Sequence, residues 1–433
     1  MGQAGPSGAT HVSAGPFARA LVRLWFRKIQ KTGPPLPTGA VLLVLNHPNG
    51  LLDPLIPAAL LKPPPRFMAK ATLWKLLPLR PFLALFKPIP VRRAQDEKGL
   101  DATARARAVA QAFEAVHESF GFGQCVAIFP EGISHGHPDL APLKTGAARI
   151  ALSSPTPVSL VPAGLVYGRR DLFRHSVLLR LGAAIPFSDL KGQGTEPEAV
   201  RELTARIREA LLPLTLHAEA EDLLALAQDT AWLLAEGPRS KVDLEAHQLR
   251  VRAMLDRLRT WSEPAQNALR LEVAKARGWL HQQGLRPDQV GYPYPWDEVA
   301  RWLPKAALRH VLALPLAPLA LAFWPPYALV RWSAGHFTDE LDQTATFKLL
   351  GGFLLHPLWL VGLASVAWRA FGLPGLLATG IAGLSALALL PLLERLREDW
   401  QAIRGFLRRR HPETKELLEA KARLLAAFPE LGR

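Results

Sequence analysis

The sequence predicts an α/β domain, a central sheet flanked by helices, followed by a helical region and C-terminal transmembrane helices. Three observations predict it. Short apolar runs rich in β-branched residues stop at turn residues, as buried strands do: Val41 to Leu45 before Asn46, and Gln124 to Phe129 before Pro130. Helix-period stretches alternate with these runs, the pattern of an α/β layer. The last third holds three uncharged runs, Val311 to Val330, Leu349 to Trp368 and Ala370 to Leu393, each near the length a hydrocarbon core of about 30 Å requires.

Residues 1–16 are small and polar and read as a flexible tail; they carry no basic-then-apolar targeting signal, and Pro6 argues against myristoylation at Gly2. Residues 17–32 read as an amphipathic interfacial helix. Phe17, Leu21, Leu24, Trp25 and Ile29 share one face, with Arg19, Arg23 and Arg27 at spacing four beside it. The plainer alternative is a helix docked on the core with a solvated basic edge.

Residues 33–192 hold the α/β domain. After the first strand, Pro48, Asn49 and Gly50 force a turn. His47 therefore stands at a strand end, with Asp53 six residues on. A carboxylate on one ring nitrogen of a histidine leaves the other free as a base, and one short turn can bring the two together. The plainer alternative is a strand-end histidine plus a helix-capping aspartate. Pro63 to Pro65 end the helix expected after Asp53. Arg66 to Lys87 is apolar with sparse cations, and reads as the wall of an acyl-chain groove, a bilayer-seated segment or ordinary core. Ile89 to Arg93 reads as a short strand, Asp101 to Phe120 and Ala147 to Ser153 as helices, Val158 to Tyr167 and Ser176 to Ile185 as strands. Residues 193–306 read as a polar helical region with no catalytic pattern, 307–395 as membrane-embedded segments and 396–433 as a basic helical tail.

The formal net charge of +15 calls for an anionic partner. No compact basic stripe with interleaved aromatics suits nucleic acid, so membrane lipids are the expected partner. The lone cysteine, Cys125, lies within an expected strand, which excludes a disulfide within the chain and makes a buried thiol.

Asn46-His47 with Asp53, the run Ile89-Pro90-Val91 closing on Arg93, and Phe129-Pro130-Glu131-Gly132, in this order, resemble the glycerophospholipid acyltransferase family. Val161-Pro162 is similar to that family's fourth motif. The resemblance covers about residues 17–190, and makes residues 33–192 an acyltransferase domain. It implies O-acyl transfer from an acyl thioester, carried by CoA or an acyl-carrier protein, to a glycerol-phosphate-type acceptor, with no cofactor and no metal. His47 and Asp53 match the catalytic pair. Arg93 matches the arginine of the second motif, Glu131 and Gly132 the acceptor-site motif. Lys144 and Lys70 are supporting cations, and Asn46 adjoins the catalytic histidine. A backbone N–H of the Asn49-Gly50 turn is a candidate oxyanion donor. Two positions depart from the pattern: Lys87 stands where the second motif commonly opens with glycine, and Ile133-Ser134-His135 stand where the third often continues Thr-Arg. Asn46-His47-Pro48-Asn49, together with Gly132-Ile133-Ser134-His135 and Pro142-Leu143-Lys144-Thr145-Gly146, resemble the fungal-type branch that acylates glycerol 3-phosphate and dihydroxyacetone phosphate.

Two other readings come from the same loop. Gly132-Ile133-Ser134-His135-Gly136 satisfies G-x-S-x-G, which makes a membrane-associated serine hydrolase or lipase using Ser134 the alternative; that elbow requires a helix directly after the serine. His135, His137 and Asp139 form H-x-H-x-D, a metal-phosphoesterase pattern with too few ligands nearby. Basic residues flank the apolar block on both sides, which places the acyltransferase domain and the tail together on the cytoplasmic face of a multi-pass cell-membrane protein. That requires an even number of crossings, and the run with Pro315, Pro318, Pro325 and Pro326 is the one expected not to cross.

Overall fold

Strand β2 (Ala40–Leu45) is the centre of the sheet: all six residues are buried, so both of its faces are covered. This is why it reads as an unbroken apolar run instead of an alternating one. The computed structural model describes residues 15–91, 102–137, 139–170, 172–218, 220–234, 243–290, 292–338 and 341–428. They divide into two units: residues 1–217 with 340–346, and residues 218–339 with 347–433.

The first unit is built on seven strands. Besides β2 these are β1 (Phe26–Thr32), β3 (Arg66–Lys70), β4 (Ile89–Val91), β5 (Cys125–Ile128), β6 (Val158–Tyr167) and β7 (His175–Leu181), in the spatial order β1-β7-β6-β2-β5-β3-β4. All neighbours are parallel except β6 and β7. Helices α1 (Gly15–Trp25), α2 (Leu52–Leu60), α3 (Arg80–Phe86), α4 (Ala102–Gly121), α5 (Gly146–Leu152) and α6 (Pro197–Leu211) complete it. Ala40, Leu42 and Val44 of β2 meet Val116 and Phe120 of α4, Ile150 of α5, and Leu203 and Ile207 of α6 in one core. The mixed sheet flanked by helices agrees with the sequence expectation. Cys125 is buried in β5, and burial pushes its thiol up to about 12.

Two expectations need correction. The helix expected over 17–32 ends at Trp25, and residues 26–32 are instead the edge strand β1. Its apolar face is not left for a membrane surface: Ala18, Leu21, Val22 and Trp25 are buried and the helix packs on α2. The second correction is α6, expected in the helical region but seated on the sheet core, so the first unit runs on to residue 217. The prolines of the first apolar run interrupt it at a short 3₁₀ turn, Leu314–Leu316, and beyond that one helix continues through Pro325 and Pro326.

The second unit is helical: α7 (Glu221–Leu234), α8 (Leu244–Leu258), α9 (Glu263–Gln283), α10 (Trp296–Ala313), α11 (Ala317–Phe337), α12 (Leu341–Arg408) and α13 (Pro412–Ala427). Helix α12 is broken at Gly372, whose φ of 62° is a left-handed value that glycine adopts without strain. The chain doubles back there: a Cβ on Gly383 would lie 3.0 Å from the Leu360 side chain. This is the hairpin the sequence expects between its second and third apolar runs. Arg309 grips the buried Asp399 with two hydrogen bonds, of 2.9 and 2.5 Å, and Trp302 Nε1 adds a third at 3.1 Å, fastening α10 to the far end of α12. Two stretches, Trp296–Phe337 and Thr344–Ala386, are long and apolar enough to cross a membrane.

Candidate active site

Parallel strands β2 and β5 release the chain at one edge of the sheet, and there the first and third motifs meet. His47 follows β2 directly. Its backbone is tied to the third motif in both directions: the His47 N–H donates to Glu131 Oε1 at 2.6 Å, and the His135 N–H donates to the His47 carbonyl at 3.3 Å. Its imidazole stacks on Phe129, ring centroids 4.1 Å apart and 17° from parallel. Phe67 of β3 lies on the same aromatic row, 6.4 Å from Phe129.

The turn over Pro48 to Leu51 brings Asp53 into the first turn of α2, where a helix N-terminus favours negative charge. The side chain does not cap that helix; it turns back to the histidine. Asp53 Oδ2 faces His47 Nδ1 at 2.8 Å and accepts the Asn49 N–H at 2.7 Å. Its other oxygen accepts the Tyr167 hydroxyl. Asp53 is completely buried, while the His47 side chain keeps 16% of its surface. Facing a carboxylate, Nδ1 carries the proton, and among the described residues Nε2 has no hydrogen-bond partner. The result is a fixed tautomer with an open base.

Glu131 and Asn46 were expected to touch substrate, and both are committed to protein instead. The Glu131 carboxylate is 2% exposed; it braces the His47 N–H, accepts the Ala141 N–H at 2.9 Å and pairs with His135 Nε2. Asn46 donates from Nδ2 to the Leu165 carbonyl at 3.0 Å and accepts the Leu165 N–H at Oδ1 at 2.7 Å, locking the end of β2 to β6. Gly132 has φ +72°, and a Cβ there would come within 2.9 Å of the Lys144 side-chain carbons. The positive φ favours glycine, while the Lys144 atoms nearby are the far end of a flexible side chain that can shift aside. Lys144 lies exposed across this loop, its N–H bonded to the Pro130 carbonyl at 2.7 Å. Lys70 ends β3, one strand beyond β5 on the same edge. Arg93 lies outside the described residues.

The turn expected to supply an oxyanion donor has its Asn49 N–H engaged by Asp53 and its Leu51 N–H by Thr346 Oγ1 at 3.1 Å. Ser134 has no nucleophile elbow: the next helix begins only at Gly146, so the strand–turn–helix that the hydrolase alternative needs is not there. Among the described residues no three His, Cys, Asp or Glu side chains gather as metal ligands.

The sequence reading missed two participants. Tyr167, the last residue of β6, is buried behind Asp53; its hydroxyl is the one polar group closing an apolar run. Arg170 donates to the carbonyls of Pro48 at 3.5 Å, His135 at 3.3 Å and Gly136 at 2.5 Å, so a single guanidinium clamps both loops. The adjacent Arg169-Arg170 pair is the only sequence signal for it.

Burial, followed by the neighbouring Asp53 charge and the hydrogen bond to it, holds the Tyr167 hydroxyl well above the ordinary phenol value of 10.0. It therefore remains a donor at every working pH. Above pH 10 the unfolded chain loses this proton while the folded one keeps it, so the associated stability is complete below pH 10 and is lost as pH rises towards the folded value. Tyr167→Phe is accordingly expected to flatten the fall of stability between pH 10 and 11 by up to about 1.4 kcal/mol per pH unit, one proton's worth. Denaturant titrations of both proteins across that interval check it; equal slopes would show that the hydroxyl ionises normally.

Residues 28–166 match the family model described as Acyltransferase. Over 126 residues the chain is 35% identical to glycerol-3-phosphate O-acyltransferase 2 of Saccharomyces cerevisiae, covering 27% of this chain and 17% of that one. It is 31% identical over 126 residues to glycerol-3-phosphate O-acyltransferase 1 of the same yeast, and 33% identical over 115 residues to an uncharacterized acyltransferase of Schizosaccharomyces pombe, covering 27% and 24% of this chain respectively. The matched part thus spans 17% of each curated relative's length. The crystal structure of the 1-acyl-sn-glycerophosphate acyltransferase PlsC of Thermotoga maritima overlaps with a TM-score of 0.34 at 17% identity, covering 45% of this chain and 76% of that one, too slight an overlap to say more about the chain.

Proposed function

Because residues 28–166 are an acyltransferase-family domain, we propose that this chain is a membrane-bound O-acyltransferase that moves a fatty acyl group from an acyl thioester to the hydroxyl of glycerol 3-phosphate or a related (lyso)phospholipid acceptor. The observation that carries this reading is His47, with Nδ1 on the buried Asp53 and Nε2 open. The acceptor hydroxyl gives its proton to Nε2 as its oxygen attacks the thioester carbonyl. Asp53 balances the imidazolium that forms. The tetrahedral oxyanion then collapses, the carbon–sulfur bond breaks, and the departing thiolate takes the proton from Nε2 to leave as thiol. A thioester is already activated, so no nucleophile on the protein and no cofactor is required. The exposed Lys144 beside the Gly132 loop supplies a cation for the acceptor phosphate, with Lys70 and Arg93 in the same role.

The names of the two yeast relatives support glycerol 3-phosphate as acceptor. The two long apolar helical stretches support seating in the cell membrane, and the basic residues around them support a cytoplasmic catalytic face. Membranes carrying the protein, given labelled acyl-CoA and separately glycerol 3-phosphate, dihydroxyacetone phosphate or lysophosphatidate, are expected to yield one acylated phosphate ester above membranes without it. No acylation of any of the three, with protein shown to be folded, overturns the proposal.

A further inference from the structure

Between β3 and α3 the chain does something unusual for a folded unit: it leaves an apolar segment uncovered. Residues 71–79 form two short 3₁₀ turns, Ala71–Lys75 and Leu77–Leu79, before α3. Neither Ala71–Lys75 nor α3 contains a buried residue. Leu76 and Leu77 are 51% and 69% exposed, and Trp74, Phe82 and Phe86 are half-buried at most. Exposed apolar surface of this extent marks a contact with something. The segment is nonetheless anchored, because Phe17 of α1 packs edge-on against Phe82 and Phe86 at 5.9 and 6.5 Å.

Its charge identifies the partner. Lys75, Arg80 and Lys87 flank the apolar side chains, and Arg66 to Val91 contains no Asp or Glu. Leucines and a tryptophan rimmed by cations alone match a lipid surface with anionic headgroups. Placement agrees. β3, β5 and β2 run parallel in adjacent positions, so the segment leaves β3 at the edge where β5 delivers Glu131 and β2 delivers His47.

We propose that residues 71–87 are a bilayer-seated platform that holds the catalytic edge against the membrane surface, where a fatty acyl chain and a lipid product both partition. The proposal rests on the membrane reading above, and the two are separable by experiment. The full chain is reconstituted in phosphatidylcholine–phosphatidylglycerol vesicles with an environment-sensitive fluorophore on a cysteine placed at one of three positions. These are Leu77→Cys on the platform, Ile381→Cys on the exposed face of α12 and Arg201→Cys on the exposed face of α6; the native Cys125 is buried. Quenching by nitroxide-labelled lipids is then read. The expected result is strong quenching at 77 and 381 and none at 201. Quenching at 381 without quenching at 77 overturns the platform and leaves the membrane reading standing. Quenching at neither 381 nor 77 overturns the membrane reading and the platform together. Quenching at 77 by a nitroxide-bearing acyl-CoA in detergent, but not by labelled lipid, overturns the platform by assigning the segment to the donor's chain.

Discussion

His47→Ala is expected to lower kcat by roughly 10² to 10⁴, the usual worth of a positioned general base, while the melting temperature stays nearly unchanged. The second half follows from how the site is held. The backbone N–H of residue 47, which binds Glu131, survives the substitution. Asp53 loses one contact but keeps the Asn49 N–H and the Tyr167 hydroxyl, so its buried charge is not abandoned. What remains is a slot between the Phe129 ring and Asp53 of about the size of the missing imidazole. Free imidazole in the assay is therefore expected to restore part of the rate. Near-normal turnover by the folded variant would remove His47 from the mechanism.

The effect of altering Asp53 depends on the replacement. In Asp53→Asn the amide oxygen must occupy the Oδ2 position, because the Asn49 N–H and the imidazole Nδ1–H both point there and a second donor would repel them. The NH₂ group then faces Tyr167, whose hydroxyl rotates and accepts. The histidine keeps its tautomer, and only the charge that balances the imidazolium is gone. A fall in kcat of about 10² to 10⁴ with little loss of stability is expected. Asp53→Ala also leaves the Asn49 N–H and Tyr167 O–H buried without acceptors, each costing about 1–3 kcal/mol, so it is expected to lose both rate and several degrees of melting temperature. Paired kinetics and thermal melts test this. An Asn variant that melts as early as the Ala variant would show that the amide does not fit the network as derived.

His47 and Asp53 were legible in the sequence because their chemistry is local: six residues and one turn connect them. Tyr167 and Arg170 were not, because they reach the same turn from β6 and the loop after it, across more than a hundred residues. Nothing in an apolar run announces which distant carboxylate its last hydroxyl will meet. Glu131 was found by its motif, but its bonds to the His47 and Ala141 N–H groups and to His135 were not, since the motif does not say which way a carboxylate points. The buried strands β2 and β6 could be read because their apolar runs are bounded by turns. Edge strand β1 could not: with one covered end and mostly half-exposed residues, Phe26 to Thr32 carries the same basic spacing as the helix before it and looks like its continuation. Lys87 is a departure that the fold explains. It caps α3 in a left-handed conformation, φ 43° and ψ 52°, the geometry for which glycine is the ordinary choice.

The position of β1 also sets an order of events during synthesis. This strand lies at one edge of the sheet and pairs only with β7, Phe26 opposite His175. Its strand partner leaves the ribosome about 150 residues later, some 7 to 30 s at typical elongation rates. Throughout that interval Trp25 and Phe26, both buried in the finished protein, lack the aromatic partners they have in it. Phe173 and Tyr167, the rings they finally meet at 5.4 and 5.9 Å, arrive on the same late stretch of chain. The apolar packing on Tyr167, whose hydroxyl holds Asp53, is therefore complete only once the first strand of the sheet has docked on the last.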